Sequence, residues 1–247
     1  MTPGLRRVFG LVFWLAIAAD QKAATKAADP DKDPQPPKLL QEARTLLDNK
    51  KPQAAIVNCD KVIGLFKAHY GKRKEKVYCG RTPAENLGYL MKAAAAMNDG
   101  KFEAGKKQAI VISPTWSKAF FMKAFALAEM GNRDEAMTAL QEAIALSPWN
   151  SQYLSELGYL YAVKKDWAKA METYQAAEEH AALSPDDTKT EELGRARRGV
   201  GYVLVELGKL DEAEKKYEQC LKENPQDKKA AAELEDVRQR KAKGKSA

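Results

Sequence analysis

Four positions of this chain recur at fixed spacing, and this recurrence restricts the fold more than any other feature. The set Ala124, Ala136, Leu140 and Ala143 returns 34 residues later as Gly158, Ala170, Tyr174 and Ala177, and 43 residues later again as Gly201, Ala213, Tyr217 and Cys220. A 34-residue period with small residues at fixed positions is typical of a two-helix unit that buries its apolar face only against a neighbouring copy. Stacked units of this kind form an extended concave surface that holds other proteins. The sequence therefore predicts a binding protein.

The chain after Pro37 is predicted to be helical throughout, because Ala, Leu, Glu and Lys dominate and no long stretch alternates with period two. The clearest unit runs from Ser117 to Asn150. Gly131 should end its first helix, since glycine tolerates the left-handed conformation found there, and Pro148 should end its second. A longer connection, His180 to Glu191, accounts for the wider second spacing.

Weaker units precede the clear ones. Leu39 to Ile63 and Gly88 to Pro114 carry a similar pattern of small and apolar residues, separated by a basic insertion at 67–82. The insertion contains Lys72, Arg73, Lys74, Lys76 and Arg81. We interpret it as an exposed connection with solvated charges; the alternative is a second contact for an acidic partner. Residues 228–247 are predicted to form a capping helix and a basic tail.

The repeated units resemble tetratricopeptide repeats. The residues that carry the resemblance are Leu154, Leu157, Gly158, Tyr161, Ala170, Tyr174 and Ala177 in one unit, and Val200, Gly201, Leu204, Ala213, Tyr217 and Pro225 in the next. The pattern is strong over 117–227, although Lys123-Ala124 replaces its Leu-Gly pair, and divergent over 39–116. The resemblance implies an all-α, right-handed superhelix of about five antiparallel helix pairs with a C-terminal capping helix.

In this family the first helix of each unit lines a concave groove that binds a peptide or protein segment. The positions implied to face the groove are Phe121, Met122, Phe125, Tyr159, Arg195, Arg198 and Tyr202. Aromatic surface with two cations suits a peptide that carries apolar residues and a carboxylate. Two alternatives stay open: the aromatic residues are core packing, or the arginines pair with Glu191 or Glu192 on their own helix.

Some family members bind chaperone C-termini through a clamp of Lys and Asn residues. Here Tyr159 and Tyr202 occupy positions where an Asn would be required, which argues against a cytosolic co-chaperone-like adaptor. The sequence instead favours an adaptor or assembly factor whose partner is a protein or peptide. A self-associating structural scaffold, that is a homo-oligomer, is the alternative.

The N-terminus predicts export. Arg6 and Arg7 precede an apolar run, Val8 to Ala19, that is shorter than the roughly 20 residues of a membrane-spanning helix. With small residues at its end, this pattern is typical of a secretory signal peptide over 1–19, cleaved on export to a bacterial periplasm. The alternatives are a retained anchor, which would be the sole membrane contact, and a cytosolic protein. Residues 20–38, rich in Pro, Asp and Lys, are predicted to be a disordered linker.

Charge and motifs argue against several other functions. The net charge is +7, but no aromatic residue lies among the C-terminal Lys and Arg residues, so we expect no nucleic acid partner. His69 and His180 lack metal-ligand spacing, and no glycine-rich phosphate loop is present. The sequence therefore predicts no enzyme, no metal and no cofactor.

The cysteines leave one question open. In an oxidising compartment Cys59 and Cys79 could form a disulfide that fixes the insertion to the first unit, stabilising the fold by roughly 3 kcal/mol. Two free thiols are the alternative. Cys220 occupies a small-residue position of the repeat and is predicted to be core packing.

Overall fold

The fold is given by a computed structural model that describes residues 28–95 and 109–244. In chain order the elements are α1 Gln35–Asp48, α2 Pro52–Tyr70, β1 Lys76–Cys79, α3 Pro83–Ala95, β2 Ala109–Ile112, α4 Thr115–Glu129, α5 Arg133–Leu146, α6 Ser151–Val163, α7 Trp167–His180, a 3-10 turn Ala181–Leu183, α8 Lys189–Glu206, α9 Leu210–Glu223 and α10 Lys228–Gly244.

The helices stack as antiparallel pairs, which confirms the predicted all-α superhelix. α1 packs on α2, α4 on α5, α6 on α7 and α8 on α9, and each pair contacts the next. α10 covers the last pair. Within the described part of the chain there are four such pairs and a cap, fewer than the five pairs expected.

A residue in the left-handed backbone conformation follows the first helix of each pair. Gly131 and Gly208 have φ angles of 83° and 74°, and Lys165 and Lys50 adopt 59° and 56° at the corresponding turns. The spacing of 131, 165 and 208 is that of the repeat itself. The same backbone turn is therefore made with glycine twice and with lysine twice, although a side chain disfavours this conformation.

Small residues let aromatic rings pack closely between helices, both within a pair and between neighbouring pairs. The Tyr174 ring lies against Gly158 and Gly199, and a Cβ added at Gly199 would come within 2.2 Å of that ring. A Cβ at Gly201 would come within 2.7 Å of Tyr217. These contacts explain why small residues recur at fixed positions of the repeat: a larger side chain would force the close-packed helices apart.

The prediction that the chain is helical throughout is wrong between α2 and α4. β1 and β2 pair in parallel, with Lys76 opposite Ala109 and Cys79 opposite Ile112. The described parts of Gly88 to Pro114, which include the end of α3 and the strand β2, do not form a helix pair, and α2 packs directly on α4. Strands of four residues are too short for periodicity to distinguish them from helix, although β2 is rich in β-branched side chains. We call 71–114, as far as it is described, the inserted lobe.

The linker prediction is wrong for residues 28–38. The Tyr70 hydroxyl donates to Asp29 Oδ1 at 2.5 Å, and the Ser113 backbone N–H donates to Asp31 Oδ1 at 3.0 Å. Pro36 is buried in the first turn of α1. Composition missed this order because hydrogen bonds of Asp29 and Asp31 with distant residues help to hold the segment. Residues 20–27 and the predicted signal peptide 1–19 lie outside the described residues.

Candidate functional site

The first helices of the pairs line one continuous concave groove. Three adjoining cavities of about 440, 330 and 610 Å³ follow it from α1 to α10. The first two share Phe125 and Glu129, and the second and third share Tyr159. Of the sequence-predicted site residues, all seven line at least one of these cavities.

Three aromatic side chains form a row along this groove. Phe125, Tyr159 and Tyr202 each follow the small residue of the first helix, so they share the repeat spacing and project from successive first helices. They are 47%, 54% and 41% exposed. We call these three residues the aromatic ladder. The aromatic ladder is therefore exposed on the surface. The alternative prediction, that the apolar groove residues are core packing, fits Phe121 and Met122 better.

Phe121 and Met122 belong largely to the core. The Phe121 ring stacks on Tyr153 of α6 with centroids 4.8 Å apart, and Met122 is 5% exposed. They form the floor of the groove between α4 and α6 and leave the ladder as its exposed apolar surface.

The two predicted arginines are engaged in ion pairs with neighbouring elements. Arg195 contacts the Glu156 carboxylate on α6 at 2.6 Å, and Arg198 contacts Asp227 in the turn before α10. The predicted partners on the same helix, Glu191 and Glu192, are therefore not the ones used. Burial raises the pKa of Glu156, and Arg195 opposes that shift.

Carboxylates surround the ladder at the α8–α10 end. Glu191 and Glu233 line the cavity that contains Tyr202, and Glu206 lies one turn further along α8. Burial raises the pKa of Tyr202, and Glu206 and Glu233 add to that shift. Lys229 is the further cation in this cavity. Sequence reasoning considered Glu191 only as an arginine partner and did not identify Glu206 or Glu233, because exposed Glu residues are common on helices.

A buried charge network that the sequence did not reveal joins the inserted lobe to α8. Arg81 donates to Glu85 at 2.8 Å and to Glu192 at 2.8 Å, and the Ser184 hydroxyl donates to Glu192 at 2.6 Å. Glu85 is fully buried. Despite its burial, Arg81 has a raised pKa, because its hydrogen bonds and charge contacts with both carboxylates outweigh desolvation. The prediction of solvated charges is therefore wrong for Arg81, whereas Lys72, Arg73 and Lys74 are exposed.

The lobe also packs on the connection between α5 and α6. The Trp149 ring lies 5.1 Å from Tyr89 of α3 and 5.5 Å from His180 of α7, between centroids. The Ser147 hydroxyl donates to the Cys79 carbonyl at 2.7 Å. The lobe thus connects three successive pairs along one edge of the superhelix.

The cysteines carry free thiols in the structure. Cys59 in α2 and Cys79 in β1 are fully buried and do not form the possible disulfide. Burial raises the pKa of each thiol to about 12. Cys220 is also buried, in a small-residue position on α9. Over 28–95 and 109–244, no three His, Cys, Asp or Glu side chains are placed to hold a metal ion. None of the helices in those ranges has the length and apolar character needed to cross a bilayer.

Comparison with known proteins identifies the repeats. Two family models described as tetratricopeptide repeat match residues 121–188 and 199–227. These two segments match the tetratricopeptide repeat (TPR). The TPR segments lie in α4 to α9 and contain the aromatic ladder.

Solved structures share the fold of the TPR stack. A structure of Pseudomonas aeruginosa pilF is 14% identical, covers 85% of this chain and 70% of that chain, and has a TM-score of 0.56. A MamA RS-1 double mutant is 13% identical, covers 85% of this chain and 86% of that chain, and has a TM-score of 0.51. At these identities the likeness concerns the fold alone.

A curated relative matches a short part of the chain. It is a probable serine/threonine-protein kinase BSK3 from Oryza sativa subsp. japonica, 43% identical over 61 residues, which cover 24% of this chain and 11% of the relative. The chain therefore spans about a tenth of the length of that relative, and the match does not establish a kinase activity.

Proposed function

We propose that this protein is a non-enzymatic adaptor or assembly factor that binds an extended segment of a partner protein in its concave TPR groove. The observation that carries the proposal is the aromatic ladder. Phe125, Tyr159 and Tyr202 are 47%, 54% and 41% exposed on one face, at one repeat position, in a continuous groove. Contiguous exposed apolar surface of this kind marks interaction sites.

Aromatic side chains are suited to such a role. Each ring offers large contact area at low conformational cost, and the two tyrosine hydroxyls add donors for backbone carbonyls of a bound segment. Because successive first helices present the rings in register, a chain lying along the groove would meet them one after another.

A cross-linked pull-down tests this proposal. The chain carrying Tyr159→Ala together with Tyr202→Ala is compared with wild type and with Val57→Ala, a change at an exposed apolar residue of α2, which is a second helix. We expect partners captured by wild type to be lost with the groove variant and kept with Val57→Ala. If both variants retain every partner, groove binding is contradicted.

We also propose that the protein acts after export, in a bacterial periplasm, with residues 1–19 removed. The support is the pair Arg6 and Arg7 before a short apolar run. N-terminal sequencing of the protein isolated from its native cell tests this. A mature start near Asp20 supports export with cleavage, and an intact Met1 contradicts it.

Self-association is a second candidate function, favoured by α3. Leu90 and Met91 lie one turn after Leu87 on α3, and the three side chains are 45%, 62% and 61% exposed. Light scattering over a range of concentrations tests it: a mass that rises with concentration and falls in Leu87→Lys supports a scaffold, and a monomer at high concentration contradicts it.

A further inference from the structure

The charges of the concave groove divide into paired and unpaired groups. Arg195 is neutralised by Glu156, and Arg198 by Asp227. At the other end of the groove, Lys50 pairs with Glu129 at 3.3 Å. The guanidiniums that the sequence offered for a bound carboxylate are thus already occupied.

Unpaired carboxylates lie at the end of the groove that α8 and α10 form. Glu191, Glu206 and Glu233 are exposed and have no ion pair within the described part of the chain. Glu191 and Glu233 line the cavity of Tyr202, where Lys229 is a cation without an ion pair to any described residue and the two arginines are already paired. Glu233 lines the same cavity as Tyr202, and Glu206 lies one turn after Tyr202 on α8, so both are near the last ring of the aromatic ladder. Both also contribute to the raised pKa of Tyr202. Negative charge therefore prevails where that ring is exposed.

We infer that this end of the groove receives a Lys or Arg side chain of the bound segment, with its cation over the Tyr202 ring and against Glu206 and Glu233. The inference rests on the proposed function, since it requires a segment in the groove. A cation over an aromatic face is attracted by the ring quadrupole, and nearby carboxylates strengthen the preference. A carboxylate at the same place would meet three unpaired like charges, one lysine, and two arginines that already pair with Glu156 and Asp227. The expected ligand is therefore a basic segment with interspersed apolar residues, rather than an acidic C-terminus.

Two capped peptides of matched length test the inference. One probe is a fourfold repeat of Leu-Lys-Ser and the other a fourfold repeat of Leu-Glu-Ser, both acetylated, amidated and fluorescently labelled. Anisotropy titrations with the full chain should give at least about fivefold tighter binding of the lysine probe, with a preference that falls at high salt. Equal or tighter binding of the glutamate probe overturns the inference, and so does the absence of binding by both probes.

Substitutions test which residues cause the preference for the lysine probe. The double change Glu206→Gln with Glu233→Gln should reduce the lysine preference to about twofold or less, since two unpaired carboxylates are removed. Glu172→Gln, at an exposed carboxylate on α7 outside these cavities, should leave the preference unchanged. Tyr202→Ala should weaken the lysine probe about threefold, while Tyr202→Phe keeps it, because the ring face supplies the attraction. A preference that survives the double change overturns the assignment.

The peptide titrations test the basic-segment inference, and the pull-down tests the proposed groove function, so the two can be contradicted independently. If partners are captured through the groove but the glutamate probe binds as well as the lysine probe, the groove function stands and the basic-segment inference is wrong. If the groove variant keeps every partner, the proposed function itself is contradicted.

Discussion

The guanidinium of Arg81 and the carboxylate of Glu192 are joined by a 2.8 Å hydrogen bond, although 111 positions separate them in the chain. Arg81 follows β1 in the inserted lobe, and Glu192 lies in the first turn of α8. The side chains are 12% and 8% exposed, so the contact is shielded from water. Together with Thr82, whose hydroxyl donates to the Leu183 carbonyl at 3.0 Å, it fixes the lobe to the connection between two TPR pairs.

Removing one member of this network should destabilise the fold strongly. Arg81→Ala leaves two buried carboxylates without their cation, and breaking a buried pair in this way costs about 3–5 kcal/mol. Urea denaturation of Arg81→Ala and of Lys72→Ala, an exposed cation of the same lobe, makes the comparison. We expect Lys72→Ala to stay within about 0.5 kcal/mol of wild type. Equal stability of the two variants would mean that the lobe does not brace the superhelix.

A glycine at the left-handed turn should stabilise the protein. Lys165 adopts φ 59° at the position where the preceding pair has Gly131 at φ 83°. Because a side chain costs about 1 kcal/mol in this conformation, Lys165→Gly should raise the free energy of unfolding by about 0.5–1 kcal/mol. The reverse change, Gly131→Lys, should lower it by a similar amount. Thermal unfolding of both variants tests whether the two changes in stability have opposite signs. A loss of stability in Lys165→Gly contradicts the left-handed conformation assigned to this turn.

Two glycine-to-alanine changes should have opposite effects. At Gly199 the new Cβ would come within 2.2 Å of the Tyr174 ring, whereas at Gly64, within α2, nothing lies within 4 Å. Overpacking at Gly199 should destabilise by about 1–3 kcal/mol. Gly64→Ala should stabilise by about 0.5–1 kcal/mol, since alanine is the better helix former. Chemical denaturation measures both, and destabilisation at Gly64 would count against the helix packing described above.

The thiols should be unreactive until the chain unfolds. Burial raises the pKa of Cys59 and Cys79 from 9.0 to about 12, so both are protonated and inaccessible at pH 8. The shift is upward for an acid, so the stability it provides is complete below pH 9 and is lost as pH rises toward 12. Thiol titration with a colorimetric disulfide reagent should find none in the native protein and three in denaturant. A single thiol in denaturant would show that two of the three cysteines are bonded and would contradict the free thiols.

The repeat spacing predicted the stack because it reports local packing. Gly158 and Gly201 recur where rings cross between helices, and this requirement is visible in the chain itself. The same spacing identified Tyr159 and Tyr202 as groove positions, where the structure places them. The repeat spacing could not predict the ion-pair partners of Arg195 and Arg198. Glu156 and Asp227 lie on other elements, and their distance from the arginines depends on the angle between helix pairs.

The inserted lobe escaped prediction for a different reason. The strand Lys76–Cys79 pairs with a second four-residue strand that begins at Ala109, so neither strand has a long pattern of its own. The sequence predicted Arg81 to be an exposed cation, because its hydrogen bonds to Glu85 and Glu192 form only in the folded chain. Non-local pairing of short segments leaves little signal in a single sequence.

Site-specific photo-cross-linking tests the central claim most directly. A photo-reactive benzoylphenylalanine is introduced in place of Tyr159 in the groove and, in a matched protein, in place of Val57 on α2, both at exposed positions. The account predicts that a partner segment becomes covalently attached from the groove position and not from α2. Attachment from α2 alone, or equal attachment from both, would contradict it.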